Sequence, residues 1–206
     1  MGLHNRHLAC VFLACFAASA PALCGASTAV AQDCPTAKSA PNGYVVERET
    51  GSKTDVLFGD DSVVRTIMRF NDKILLETTQ FQGVFDLERI DRGRRAVFRP
   101  KSDLSAVFPL TVGKTATVEF DVEGDGWPST SAIRISVKAA DTLYIGRCKY
   151  NVLKIERNES RGGGPFRLRG TDYYSSDLKL VIAKEYREGA ANANLIKFDR
   201  ISPIKP

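Results

Sequence analysis

Residues 115–122 alternate without exception: Ala116, Val118, Phe120 and Val122 fall on one parity, Thr117, Glu119 and Asp121 on the other. Ile133, Ile135, Val137 and Ala139 repeat the pattern against Arg134, Ser136 and Lys138. Successive side chains of an extended chain point to opposite sides. A period of two with one apolar parity therefore makes a strand with one face in a core and the other in water. That is the signature of antiparallel sheets, since parallel strands covered on both faces read as continuous apolar runs. No stretch of a dozen residues carries an apolar period of 3.6. Packing strands is then the one route by which this chain can bury apolar surface.

The rest of the chain repeats one theme of β-rich runs separated by turn residues. A run at 44–49 is broken by Gly51-Ser52, and runs at 63–70 and 73–81 flank Asn71-Asp72, a two-residue gap that fits a tight hairpin. Runs at 84–90 and 94–99 flank Asp91-Arg92-Gly93, which reads as a three-residue loop with its glycine in the left-handed position. Between the two alternating segments, Gly124-Asp125-Gly126-Trp127-Pro128 supplies turn chemistry. Further strands are expected at 143–156, 166–174, 180–186 and 195–199, and a short helix at 102–106. Many strands without intervening helices predict an all-β fold: a single antiparallel domain of ten or more strands, arranged as a curved sheet, half-barrel or sandwich.

The N-terminus reads as an export signal. A polar start with Arg6 precedes an apolar run at 8–18, and Ala29-Val30-Ala31 forms a small-residue cleavage site before Gln32. The run falls short of the roughly 20 apolar residues of a spanning helix. Cys24 follows Leu23, with Pro21 where a lipid-attachment motif wants an aliphatic residue, so lipidation is not expected. The predicted organisation is a signal peptide at 1–31, a polar arm at 32–42 and one β-rich domain at 43–206. The alternative for the first segment is a buried N-terminal helix. Past residue 31 the chain carries 28 basic and 24 acidic residues, a mildly basic balance that does not call for nucleic acid. No transmembrane segment is expected in the mature chain, and its expected location is the periplasm.

Three of the five cysteines lie in the signal, leaving Cys34 and Cys148. In an oxidising compartment two cysteines predict one disulfide, tying the arm to a strand; two free thiols are the alternative. Both histidines, His4 and His7, also lie in the signal. Their loss removes Ser-His-Asp and Cys-His catalysis and the commonest ligand for zinc, copper and non-haem iron. No phosphate-binding or dinucleotide-binding glycine motif occurs. No catalytic residue, cofactor site or metal site is assigned, and the protein is expected not to be an enzyme. Glu119, Asp121, Glu123 and Asp125 share one parity, which could serve calcium or acid–base chemistry. The ordinary reading is a wet strand face paired across a hairpin with Arg134 and Lys138.

Basic residues crowd two places: Arg89, Arg92, Arg94, Arg95, Arg99 and Lys101 on one hairpin, and Arg157, Arg161, Arg167 and Arg169 around a glycine loop. Each reads as solvated surface or as a contact for phosphate-bearing lipids or polyanions. Arg92, Arg94, Arg95 and the turn residue Trp127 form the candidate interaction surface, although a turn Trp more often folds back over a sheet edge. Tyr173 and Tyr174, being adjacent on a strand, point to opposite faces, so at most one lines any given interior.

The stretch Phe108-Pro109-Leu110-Thr111-Val112-Gly113-Lys114, then Gly146 with residues 150–155, then Tyr173-Tyr174-Ser175-Ser176-Asp177-Leu178-Lys179-Leu180-Val181 resembles an uncharacterised family of exported all-β proteins of Gram-negative bacteria, with FPLxVGK-like and YYSPDLGLV-like motifs. Ser176 replaces the family's proline and Lys179 its glycine. The resemblance spans residues 108–186 and implies a periplasmic curved sheet similar to lipoprotein carriers, with no catalytic residues to transfer. The expected function is non-enzymatic binding or envelope maintenance, with an apolar or amphipathic ligand in the concave face of the sheet. The alternative is an interaction or structural module of the envelope, acting through sheet edges and the arginine-rich hairpin. Expected partners are a lipid or an envelope protein.

Overall fold

The computed structural model describes residues 34–60, 62–124, 126–186 and 194–205. The proposed signal peptide lies outside them. Thirteen strands follow one another: β1 (Tyr44–Glu47), β2 (Lys53–Phe58), β3 (Val63–Phe70), β4 (Lys73–Phe81), β5 (Phe85–Asp91), β6 (Arg94–Pro100), β7 (Thr115–Glu123), β8 (Thr130–Ile145), β9 (Cys148–Arg161), β10 (Arg167–Ser175), β11 (Leu180–Tyr186), β12 (Asn194–Lys197) and β13 (Arg200–Pro203). They form one antiparallel sheet in the order β12-β11-β10-β9-β8-β7-β6-β5-β4-β3-β2-β1-β13, not closed into a barrel. The all-β expectation holds. In place of the expected short helix stands one 3-10 turn, Leu104–Val107, capped by the Asp103 carboxylate accepting from the Ser105 amide.

Local turn chemistry explains most hairpins and corrects one. Asn71 and Asp72 both take positive φ, and Phe70 pairs directly with Lys73, as a tight two-residue turn requires. The β5–β6 loop is not the expected three residues: Asp91 pairs with Arg94, leaving Arg92 and Gly93 at positive φ as a second two-residue turn. The run read as one strand at 143–156 is the tip of a long hairpin, in which Ile145 pairs with Cys148 around Gly146 and Arg147. β2 went unpredicted, and the single segment expected at 195–199 is the junction of β12 and β13.

Two apolar clusters fill the molecule. The stretches Val152–Ile155 of β9, Asp172–Ser175 of β10 and Leu180–Ala183 of β11 are covered on both faces. Tyr150, Val152, Tyr173, Leu180 and Ile182 pack with Tyr44, Val46, Val56 and Val64 of β1–β3. Leu153, Ile155, Tyr174 and Val181 pack with Phe85, Phe120, Ile133 and Ile135 of β5–β8. The adjacent tyrosines thus enter different cores, as the alternation demands. A bulge between Val137 and Ala139 resets the parity of β8, so the strand can serve one cluster along its first half and the other at its tip.

The ends of the sheet meet through one stretch of chain. β12 pairs with β11, β13 pairs with β1, and between them the Phe198 amide donates to Ile182 O (3.3 Å) and the Asp199 amide to Glu47 O (2.8 Å). At the other end of the chain, Cys34 is bonded to Cys148 at the β8–β9 turn, with 5.4 Å between their Cα atoms. The expected polar arm is anchored here: Tyr150 Oη donates to Pro35 O (2.9 Å), the Ala37 amide to Asp177 O (2.7 Å), and Ala40 is buried.

Candidate functional site

Inward positions of the first strands change character along their length. β1 runs Tyr44, Val46, Arg48 just past its end; β2 runs Val56, Thr54; β3 runs Val64, Thr66, Met68. The apolar core therefore fades into a hydroxyl-bearing floor. Thr54, Thr66 and Thr78 are buried, with Thr66 Oγ1 and Thr78 Oγ1 2.7 Å apart. Over this floor lies a cleft of about 580 Å³, walled by the ends of β9, β10, β11 and β12. That volume lies within the common range for small-molecule sites.

The turn joining β4 and β5 shapes one end of the cleft. Gly83 has φ +68°, and a Cβ there would stand 1.9 Å from Lys179 O, so only glycine lets this turn seat against the β10–β11 turn.

Charge lines the cleft: among the described residues six basic and four acidic side chains border it. At its centre Arg157, with a side chain 11% exposed, reaches Glu159 Oε1 through Nε (3.2 Å), Val84 O through Nη1 (3.1 Å) and Asp172 Oδ2 (3.5 Å). Asp172, whose side chain is 6% exposed, also meets Lys184 Nζ at 3.3 Å, and Glu159 also meets Arg169 (3.1 Å) and Arg161 (3.5 Å). Burial pulls against the charge on Arg157, but Asp172, Glu159 and Asp86 together outweigh it and raise its affinity for the proton. Burial likewise works against the Glu159 carboxylate, yet Arg157, Arg169 and Arg161 hold it below the usual carboxylate range. Both groups are thereby fixed in their charged forms, and neither is suited to exchange protons near neutral pH.

The two basic clusters of the sequence converge here. Arg89 comes from the first, Arg157, Arg161 and Arg169 from the second, and all four border one cleft. Neither was legible as a cleft residue from spacing alone. Of the candidate interaction surface, Arg92 and Arg94 are exposed at the β5–β6 turn and Arg95 is tied to Glu88. Trp127 packs on the same strand, β6: it is half-buried and edge-on to Phe98 (5.6 Å), with the Arg161 guanidinium 5.6 Å above its ring. Two acids of the acidic parity on β7 pair toward β6 and not toward β8 as expected: Glu123 meets Arg99 and Asp121 meets Lys101 (3.2 Å), because β6 and the residue after it run alongside them. Arg134 stands beside Thr117, and Lys138 pairs with Glu156 (2.7 Å).

A second hollow of about 470 Å³ lies by Leu110, Asn151 and Tyr174. Asp141, on its border, is paired with Lys154 at 2.7 Å. No helix among the described residues is long and apolar enough to cross a membrane.

No protein-family model and no curated protein matches the sequence. Among solved structures the chain is similar to the hypothetical lipoprotein YmcC of Escherichia coli K12, at 13% identity over 75% of this chain and 86% of that one, with a TM-score of 0.44. It is also similar to an exported protein of Bacteroides fragilis described as having a YmcC-like fold, at 9% identity over 78% and 99% of the two chains, with a TM-score of 0.34. Neither likeness bears on the two sequence motifs.

Proposed function

We propose that this protein is a non-enzymatic binding protein of the bacterial envelope, acting in the periplasm after loss of residues 1–31, and that its cleft holds an amphipathic ligand. The observation that carries this reading is the make-up of the cleft's border. Leu168, Tyr186 and Ile196 are large apolar side chains left exposed there, beside an interior of arginines and threonines. A ligand with an apolar body and a polar end satisfies both halves, whereas a purely apolar one would cover the polar half of the cleft without bonding to it. The carboxylates Glu159 and Asp172 are committed to arginine and lysine, which favours binding over acid–base chemistry.

Native mass spectrometry of the protein purified from the periplasm, with solvent extraction alongside, is the test. We expect a co-purifying small amphiphile. A bare mass, together with no uptake of an added single-chain amphiphile, would overturn the reading. The second reading, a protein-interaction module, is favoured by the exposed Arg92 and Arg94 at the β5–β6 turn. The same spectra would then carry a protein partner in place of a small ligand.

A further inference from the structure

Buried polar side-chain atoms in folded proteins nearly always find a hydrogen-bond partner, so those that do not call for a reason. Among the described residues three have none: Arg48 Nε, Arg89 Nε and Ser175 Oγ. Both arginines border the same cleft. They come from different strands and are held by different means. The Arg48 guanidinium stacks 5.1 Å from the Phe198 ring and has no ion-pair partner among the described residues. Arg89 reaches Asp91 Oδ2 through Nη2 (3.3 Å) and has Asp86 Oδ2 3.8 Å from Nη1, which leaves its Nε unused.

A guanidinium offers donors only, and its planar fork matches the oxygens of a carboxylate or a phosphate. Two arginines that each keep one such donor unbonded, both bordering a cleft whose described residues carry more cations than anions, describe one half of an oxyanion site. We infer that the cleft takes the oxyanion end of its ligand, a phosphate or a carboxylate, on the Nε donors of Arg48 and Arg89. This inference rests on the reading of the cleft as an amphiphile site and adds the sign and chemistry of the polar end. The apolar body then leaves past Leu168, Tyr186 and Ile196.

The experiment is calorimetric titration of the mature protein with octyl phosphate and with octyltrimethylammonium, two ligands of equal tail and opposite head, and with inorganic phosphate. Octyl phosphate is expected to bind about tenfold or more tighter than the cation, and R48Q and R89Q are each expected to lose about tenfold with their circular dichroism unchanged. Should either variant fail to fold, the comparison of head groups on the unaltered protein decides alone. Equal affinity for the two heads would overturn the oxyanion site and leave the amphiphile reading standing. Absence of binding by either would overturn both. Inorganic phosphate binding as tightly as octyl phosphate would uphold the site and assign it a free anion instead of a lipid head group.

Discussion

Arg157 is a charge that the fold cannot easily lose. Its partners Asp172 and Glu159 are themselves largely shielded from water, so removing the guanidinium strands two carboxylates in a poorly solvated place. Breaking a buried pair in this way costs about 3–5 kcal/mol, more than the pair contributes over an apolar replacement. R157A is expected to lower the unfolding free energy by that order at pH 7, read from urea denaturation. The deficit has a definite pH dependence. Glu159 is held below the usual carboxylate value of about 4.3, so its contribution is complete above that pH and is lost as pH falls through the depressed folded value. In R157A that depression weakens, and the gap between variant and parent should narrow as the pH is lowered from 6 to about 3. A gap unchanged over that range would mean Glu159 does not need Arg157. None of this is legible in the linear order. The sequence marks Arg89 and Arg157 as members of basic clusters, which ordinarily are solvated. Arg89 takes its acids from its own strand, Asp86 and Asp91, whereas the shielding of Arg157 depends on Asp172 and Asp86, which only the meeting of β5, β9 and β10 brings within reach.

Among the elements, those with a clean apolar parity could be read directly, such as β7 and the first half of β8. β2 could not, because its inward positions are Thr54 and Val56 and the threonine hides the period. The β8–β9 turn was obscured for the opposite reason: Tyr144, Ile145, Cys148 and Tyr150 crowd it, so that two strands look like one. The closing segment β12–β13 shows its role only in the sheet. Its two halves cover the outer edges of β11 and β1, while Phe198 and Ile201 pack against the first cluster. Ending the chain after Lys197 would uncover the edge of β1 and remove both side chains from the core. A loss of about 3 kcal/mol or more is expected from their partial burial, read as a lower denaturation midpoint, together with faster hydrogen exchange at β1 amides. Exchange unchanged at β1 would show that β13 is not needed to hold that edge.

For the molecule as a whole, the Cys34–Cys148 bond spans 114 residues and fastens the N-terminal segment to the β8–β9 turn. Chain-entropy arithmetic for a loop of that length gives at most about 4–5 kcal/mol. C34S/C148S is therefore expected to fold with stability reduced by about 2–5 kcal/mol, and the oxidised parent should move to the same midpoint when reduced. Equal midpoints before and after reduction would show that the bond contributes nothing. The strand class, the hairpin at Asn71-Asp72 and the cysteine pair could be inferred from the chain alone, because alternation, turn preference and cysteine count act locally or by elimination. Alternation tells which side of a strand a residue takes, but not which other strand that side will face. That second fact comes from twist, bulges and long-range packing, which roll the sheet until the middles of β9–β11 are covered on both faces. The same rolling carries arginines from opposite halves of the chain to the border of one cleft.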